Sequence, residues 1–257
     1  VRVSGASDNI NYSIGGNYAD ETGILIGSEF QKKGINSNIG ITKGKLKITT
    51  NLNYSETYKE DYKFSLRETY FISPLIPVLD PAKPSGYGYR TGDIPDHRNP
   101  VGEANILQGY TKLKYFLGNV NLSYEILKGL NLGANFSLSN LSNYTNSFHV
   151  PFQVRDVQDD PQREFSYLSE YDSEMRRINQ EYTVNYNFQV GEKHVFDLLA
   201  GYQRISEPFR ETFAQAEGYK LDEDGNKVPA IILDPSFNTL NAFSDGTYSA
   251  SGTNAEY

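Results

Sequence analysis

Hydrophobic and polar residues alternate with a period of two in successive segments along most of the chain. Between Ile10 and Tyr18, isoleucine and tyrosine occupy one set of alternate positions, while asparagine, serine and glycine occupy the other. This alternation predicts a β-strand with one apolar and one polar face. The same pattern recurs at residues 46–54, 116–124, 130–138, 178–190 and 196–202, and more weakly at residues 30–42.

The segments between these predicted strands alternate in length. Short turns containing glycine or asparagine are predicted at residues 6–9, 43–45, 127–129 and 191–193, and a medium connection at residues 20–29. Three long connections are predicted at residues 59–105, at residues 140–177 and from residue 207 onward. A helical turn is possible within residues 172–177. The pattern favours an all-β, antiparallel up-and-down sheet of about eight strands, with its long loops at one end.

The composition of the two strand faces bears on where such a sheet would lie. Asparagine is the commonest residue on the polar face although it is a poor strand former, and a water-filled barrel interior is one setting that tolerates it. The apolar faces contain no charged residue within the alternating segments. Tyrosine and phenylalanine lie near both ends of these segments, which is typical of the two aromatic girdles of a membrane barrel. A soluble β-sandwich with tyrosines at the edge of its core is the alternative interpretation.

Charge and composition exclude several function classes. The 257 residues carry a net charge of −8 and no cysteine, which excludes disulfides and thiol chemistry. The acidic balance argues against a nucleic-acid partner. The three histidines are scattered, and no P-loop, nucleophile elbow or dinucleotide-binding motif occurs. We therefore expect no enzyme activity, no catalytic or metal-binding residues and no cofactor.

Four motifs together resemble those of one transporter family. They are residues 4–24, which read SGASDNINYSIGGNYADETGI, residues 45–48 with the Asn/Tyr strand that follows, residues 124–132, and residues 191–194 leading to LLAGY at 198–202. In this order they resemble the barrel of SusC/RagA-type TonB-dependent transporters of Bacteroidetes outer membranes. The resemblance implies active import of a nutrient, an oligosaccharide or a peptide, through a barrel of about 22 strands.

The resemblance also implies partners and a domain assignment. Residues 1–257 are expected to form part of the barrel domain, as a fragment without the plug domain. The family's partners are a SusD-like surface lipoprotein, the TonB complex, which acts through the plug, and the lipid of the bacterial outer membrane. On this interpretation the chain contributes the wall and vestibule of an importer.

The candidate substrate-binding residues lie in two predicted loops. In residues 85–93, Tyr87, Tyr89, Arg90 and Asp93 combine aromatic rings with charged groups, as binding of a sugar or peptide requires. Arg155 and Asp156 in the next long loop could line the same site. A surface loop that packs on itself is an equally good interpretation of residues 85–93. Residues 222–226 resemble half of a calcium-binding loop, but an ordinary hairpin turn is favoured.

Two other functions remain open from the sequence. One is a surface-attached or soluble β-sheet module with an adhesive or structural role, and the other is a passive porin. The β-sheet module would fold without detergent, whereas the importer would need it, because only a membrane barrel exposes its apolar strand faces to lipid. A passive porin would differ from the importer in lacking a plug domain.

Overall fold

A computed structural model describes residues 1–60, 66–83, 86–89, 99–149, 166–221, 223–229 and 245–256. Ten strands form one antiparallel sheet in which β1 to β8 are neighbours in chain order, while β9 and β10 both pair with β8. The strands are β1 Arg2–Ala6, β2 Ile10–Thr22, β3 Glu29–Lys43, β4 Leu46–Glu60, β5 Gln108–Leu127, β6 Leu130–His149, β7 Ser166–Val190, β8 His194–Leu221, β9 Lys227–Pro229 and β10 Asp245–Glu256. The prediction of an all-β up-and-down antiparallel sheet is confirmed.

The short turns lie where the alternation predicts them. Gly44, Gly129 and Gly191 occupy the turns β3–β4, β5–β6 and β7–β8, each with a positive φ. Glu223–Asn226 forms the turn of the β8–β9 hairpin, with Gly225 at φ 82°. The interpretation of this segment as a hairpin turn is thereby supported, although Asp222 lies outside the described residues.

The prediction for the long connections is wrong in its boundaries. β6 continues to His149, β7 begins at Ser166 and β8 continues to Leu221, so much of residues 140–177 and 207–221 is strand. The suggested helical turn at residues 172–177 is also wrong, because this segment pairs with both β6 and β8. Hydrophobic alternation ends near Leu138 and Tyr202, and it therefore could not reveal these extensions.

The first long connection is irregular, as its prolines predict. It contains two short helices, α1 Leu66–Phe71 and α2 Pro100–Ile106. Asn99 caps α2 and Pro100 occupies its first turn, where a missing N–H costs nothing. None of the helices in the described segments has the length and apolar character needed to cross a membrane.

The described core is small and lies away from the short turns. Phe148, Leu168 and Ala216, which face one another across β6, β7 and β8, are almost fully buried. By contrast, many aliphatic side chains nearer the short turns are exposed. Leu132 retains 39%, Val184 42% and Leu198 56% of its surface.

Candidate functional site

The sheet has two faces whose composition differs near the short turns. The apolar face carries the even-numbered side chains of β4 to β8 and the matching residues of β2 and β3, and the polar face carries the others. Cross-strand registry places like residues together, with Leu132 opposite Val184 and Asn131 opposite Asn185. The two faces predicted from the sequence therefore continue across neighbouring strands, with an exception on β8, where the exposed Val195 and Leu199 lie on the polar face.

Aromatic rings lie at both ends of the exposed apolar surface. Near the β7–β8 turn, the rings of Phe188 and Phe196 stack with their centroids 5.3 Å apart. Toward the opposite end, Tyr182 stacks on Tyr202 at 6.4 Å and meets Phe136 edge to face at 5.6 Å. These pairs mark two belts of aromatic residues on the same face, separated by aliphatic side chains.

The polar face near the short turns is connected by amide hydrogen bonds. Asn119 Nδ2 donates to Asn135 Oδ1 at 2.6 Å, and Gln203 Nε2 donates to Asn179 Oδ1 at 2.9 Å. Asn185 Nδ2 donates to the carboxylate of Asp197 at 2.8 Å. Short polar side chains that satisfy one another in this way give a hydrated surface that carries few net charges.

Beyond the aromatic belt that contains Tyr182 and Tyr202, the apolar face carries charged side chains. One continuous cross-strand row on this face, here called the charged row, runs over six strands. Its members are Lys33, Glu56, Lys114, Ser142, Glu174 and Arg210. Lys33 Nζ lies 3.1 Å from Glu56 Oε1, and Arg210 Nε lies 2.9 Å from Glu174 Oε2.

The charged row affects the titration of its carboxylates. Arg176 Nη2 donates to Glu174 Oε1 at 3.1 Å, and this bond, with Arg210 nearby, holds the pKa of Glu174 below its ordinary value. The hydrogen bond from Lys33 likewise lowers the pKa of Glu56. Both carboxylates are therefore ionised at neutral pH, which makes this level of the apolar face suited to water rather than hydrocarbon.

Directly behind the charged row, the polar face becomes apolar. Tyr115, Leu141, Met175 and Phe209 are direct cross-strand neighbours on β5 to β8 and form what is here called the apolar row. Met175 keeps 52% of its surface exposed, and the adjoining Leu113 keeps 37%. Sequence analysis missed both rows, although extending the alternation of β5 backward from Asn119 would have placed Leu117, Tyr115 and Leu113 on the polar face.

Two of the candidate substrate-binding residues lie in the described part of the first long connection. The ring of Tyr87 packs against Gly102 of α2, and Leu79 forms an isolated bridge with Tyr87. The Lys83 Nζ atom lies 4.1 Å from the centroid of the Tyr89 ring. Both rings thus make contacts within their own loop, as the self-packed interpretation expects, while each remains partly exposed.

A buried asparagine holds this loop together. Asn99 is 1% exposed, and its Nδ2 donates to the carbonyl oxygens of Val78 and Gly88, each at 2.9 Å. Its Oδ1 accepts from the N–H groups of Val101 and Gly102 at the start of α2. The four bonds connect the backbone at Val78 and Gly88 to the start of α2, and Tyr87 and Tyr89 lie on either side of Gly88 in the chain.

The structure does not describe the remaining four candidate residues. Arg90, Asp93, Arg155 and Asp156 lie outside the described residues. Their role in substrate binding stays a prediction.

No protein-family model matches the sequence, and no curated protein matches it significantly. Solved structures do match. The RagAB peptide transporter is 18% identical with a TM-score of 0.65, and the RagAB peptide importer in its closed-closed state is 17% identical with a TM-score of 0.66.

Each comparison covers 98% of this chain and 28% of the transporter chain. The chain thus spans just over a quarter of the length of these proteins. The TM-scores of 0.65 and 0.66 show a shared fold. In agreement with the resemblance seen in its motifs, the chain has the fold of a barrel segment of a SusC/RagA-type TonB-dependent transporter.

Proposed function

We propose that this chain forms part of the barrel wall of an outer-membrane importer that takes up an oligosaccharide or a peptide. The single observation that carries the proposal is the exposed apolar surface of a one-layer sheet whose other face is lined with asparagine. In a soluble β-sandwich, side chains such as Leu132 and Val184 would be buried against a second sheet. Here they retain about two-fifths of their surface.

The apolar face is proposed to meet lipid. A tilted strand needs roughly 9–11 residues to cross the hydrocarbon core, which is the length of the uncharged segments such as Leu130 to Leu138. The pair Phe188–Phe196 lies near the β7–β8 turn, and Tyr182–Tyr202 lies six residues farther along both strands on the same face, with Ile178 beyond it. Tyrosine and phenylalanine favour these positions because the interface accommodates both an apolar ring and a polar tip.

The long strands are proposed to extend the barrel well beyond the membrane. β7 has 25 residues and β8 has 28, which is more than twice the length that a membrane crossing requires. The charged row lies on this extension, where it would be in contact with water. The short turns would then face the periplasm and the long connections the cell exterior.

The proposed partners follow from the family. We propose that a SusD-like surface lipoprotein covers the long connections and that the TonB complex supplies energy through a plug encoded elsewhere in the protein. The solved structures of similar fold are transporters, which supports import as the general activity. Tyr87, Tyr89, Arg90, Asp93, Arg155 and Asp156 are proposed to contact the substrate.

Paired arginine substitutions in the full-length protein test which face meets lipid. Leu132→Arg and Val184→Arg would place a cation in hydrocarbon at a cost of about 2–4 kcal/mol each, so we expect both to lower the amount of assembled protein in the outer membrane. Assembly is measured by heat-modifiable migration of membrane extracts in electrophoresis.

The matched controls are Asn135→Arg and Asn185→Arg on the polar face of the same strands. They replace hydrogen-bonded amides beside Asn119 and Asp197 with a side chain that water can solvate. We expect assembly at nearly the level of the unaltered protein. Equal loss of assembly from both pairs would contradict the proposed orientation of the sheet.

A further inference from the structure

The two faces of the sheet exchange polarity along one cross-strand row. On β5 to β8, each residue of the apolar row is the chain neighbour of a residue of the charged row: Tyr115 follows Lys114, and Met175 follows Glu174. Adjacent residues of a strand point to opposite faces. The sheet therefore presents ionised side chains on one side and an uncovered apolar strip directly behind them on the other.

The apolar row lies beyond the part of each strand that is proposed to cross the membrane. On β6, Leu141 comes after Leu138, the last residue of the exposed apolar surface, and on β8, Phe209 comes after Tyr202. The polar face nearer the short turns, lined by Asn119, Asn135 and Asn185, contains the amide network instead. An element that fills the barrel at membrane level would meet the amides, and the apolar row would face the vestibule above them.

Charged and hydrogen-bonding groups flank the apolar row on β7 and β8. On one side, Arg177 Nε lies 3.0 Å from Glu207 Oε1, and both side chains are more than a third exposed. On the other side, the Tyr171 hydroxyl donates to Glu211 Oε2 at 2.9 Å. A ligand lying along the row would find a cation and carboxylates within reach of its polar groups.

We propose that the apolar row binds the apolar side chains of an extended peptide, and that the flanking Arg177, Glu207 and Glu211 interact with the backbone or the termini of that peptide. The inference rests on the proposed import function and narrows its substrate class. Three strand spacings of about 4.8 Å give the row a length of about 14 Å, which is that of about four extended residues.

The chemistry of the row favours a peptide over an oligosaccharide. Sugar binding requires flat rings together with partners for many hydroxyl groups. The middle of the row consists of Leu141 and Met175, which offer neither, and the rings of Tyr115 and Phe209 lie only at its ends. Methionine and leucine adapt to varied apolar side chains, as a site for mixed peptides requires.

Thiol labelling tests the proposal, because this chain contains no cysteine. Met175→Cys in the full-length protein places a thiol in the row, and Leu113→Cys places a second one beside it. Intact cells are treated with a membrane-impermeant maleimide. The labelling rate is measured alone, with a pentapeptide of leucine and phenylalanine, and with maltopentaose.

We expect both thiols to react, the peptide to slow their labelling about tenfold when saturating, and maltopentaose to leave the rate unchanged. Lys114→Cys is the matched control, since it lies next to Tyr115 in the chain but on the opposite face. Its labelling should be the same with and without peptide.

Three results would overturn the proposal: thiols in the row that do not react without peptide, no slowing by the peptide, or equal slowing by maltopentaose. The first would mean that another part of the protein covers the row. Membrane assembly of each variant is scored separately by heat-modifiable migration. A failure of the unaltered protein to assemble would contradict the import function itself rather than the choice of substrate.

Discussion

At the scale of single residues, Gly129 is the position where the backbone of a short turn is most constrained. Its φ is 84°, and a Cβ atom built on it would lie close to the carbonyl oxygen of Asn187 on the neighbouring strand. The positive φ and the close contact with Asn187 each make a side chain at this position unfavourable. Gly191, in the next short turn, has a φ of 65° but open space around it.

Alanine substitutions separate the two constraints. We expect Gly191→Ala to lower the free energy of unfolding by about 1 kcal/mol, the cost of a left-handed backbone for an ordinary residue. Gly129→Ala should cost clearly more, because the backbone of β7 must also move. Urea unfolding of the detergent-solubilised protein, followed by circular dichroism, measures both, and equal losses would contradict the contact with Asn187.

The lowered pKa of Glu174 predicts that the stability of the protein depends on pH. Its pKa is lower in the folded protein than the ordinary 4.5, mainly because of the Arg176 hydrogen bond. The folded state therefore binds fewer protons, and the stabilisation is present above the ordinary pKa and is lost as the pH falls through the folded value. Because Arg176 and Arg210 are largely exposed, we expect about 0.5 kcal/mol.

The measurement is the free energy of unfolding between pH 7 and pH 3. Glu174→Gln should remove part of the decline seen below pH 4.5 in the unaltered protein. Glu192→Gln, in the exposed β7–β8 turn, is the control for the loss of one carboxylate away from the charged row. A profile of Glu174→Gln identical to that of the unaltered protein would mean that the ion pairs contribute nothing.

At the scale of elements, the sequence predicts the half of each strand nearer the short turns well and the half nearer the long connections poorly. From Leu130 to Leu138 one face is uniformly apolar, so the period of two is visible. From Asn140 to His149 both faces mix polar and apolar residues, and the strand is held by cross-strand contacts that no local pattern encodes. The Tyr144 hydroxyl, for example, donates to Glu170 on β7 at 2.9 Å.

The candidate site was predictable only in part, for a related reason. Alternating aromatic and glycine residues predict that the loop containing Tyr87 and Tyr89 binds substrate, and this role stays a prediction. The sequence did not reveal that Asn99, ten or more positions away along the chain, fixes this loop by four hydrogen bonds. It also did not reveal the apolar row, because its four members come from four strands.

Asn99→Ala tests the organisation of the loop. The substitution removes the Asn99 Nδ2 donor from the carbonyl groups of Val78 and Gly88, of which Val78 still accepts from the Gly88 N–H, and it removes the cap of α2, at a local cost of about 3 kcal/mol. We expect much faster cleavage of the loop by a protease in detergent, with the sheet intact. Asn105→Ala, which removes one exposed bond to Val101, should change the cleavage rate little.

At the scale of the whole molecule, the exposed apolar face predicts a requirement for detergent. Soluble monomers rarely expose apolar patches of this extent. We expect the full-length protein to precipitate when detergent is removed and to stay monodisperse in micelles, as judged by size-exclusion chromatography with light scattering. A monodisperse protein with a cooperative unfolding transition in buffer alone would favour the adhesive or structural β-sheet module over the importer.

The order of strands in the sheet has a consequence for how the molecule can be assembled. From β1 to β8 every strand pairs with the one synthesised just before it and adds to a template already formed; the short turns close four of these pairs directly, whereas the β4–β5 and β6–β7 pairs close over longer connections. Among the described strands, β10 pairs with β8 at residues 206–217 although β9, which pairs with β8 at residues 219–221, comes before it in the chain. Contacts between near neighbours in the chain form fastest, and a folding machinery could therefore thread this sheet from its first hairpin onward, leaving β10 until last.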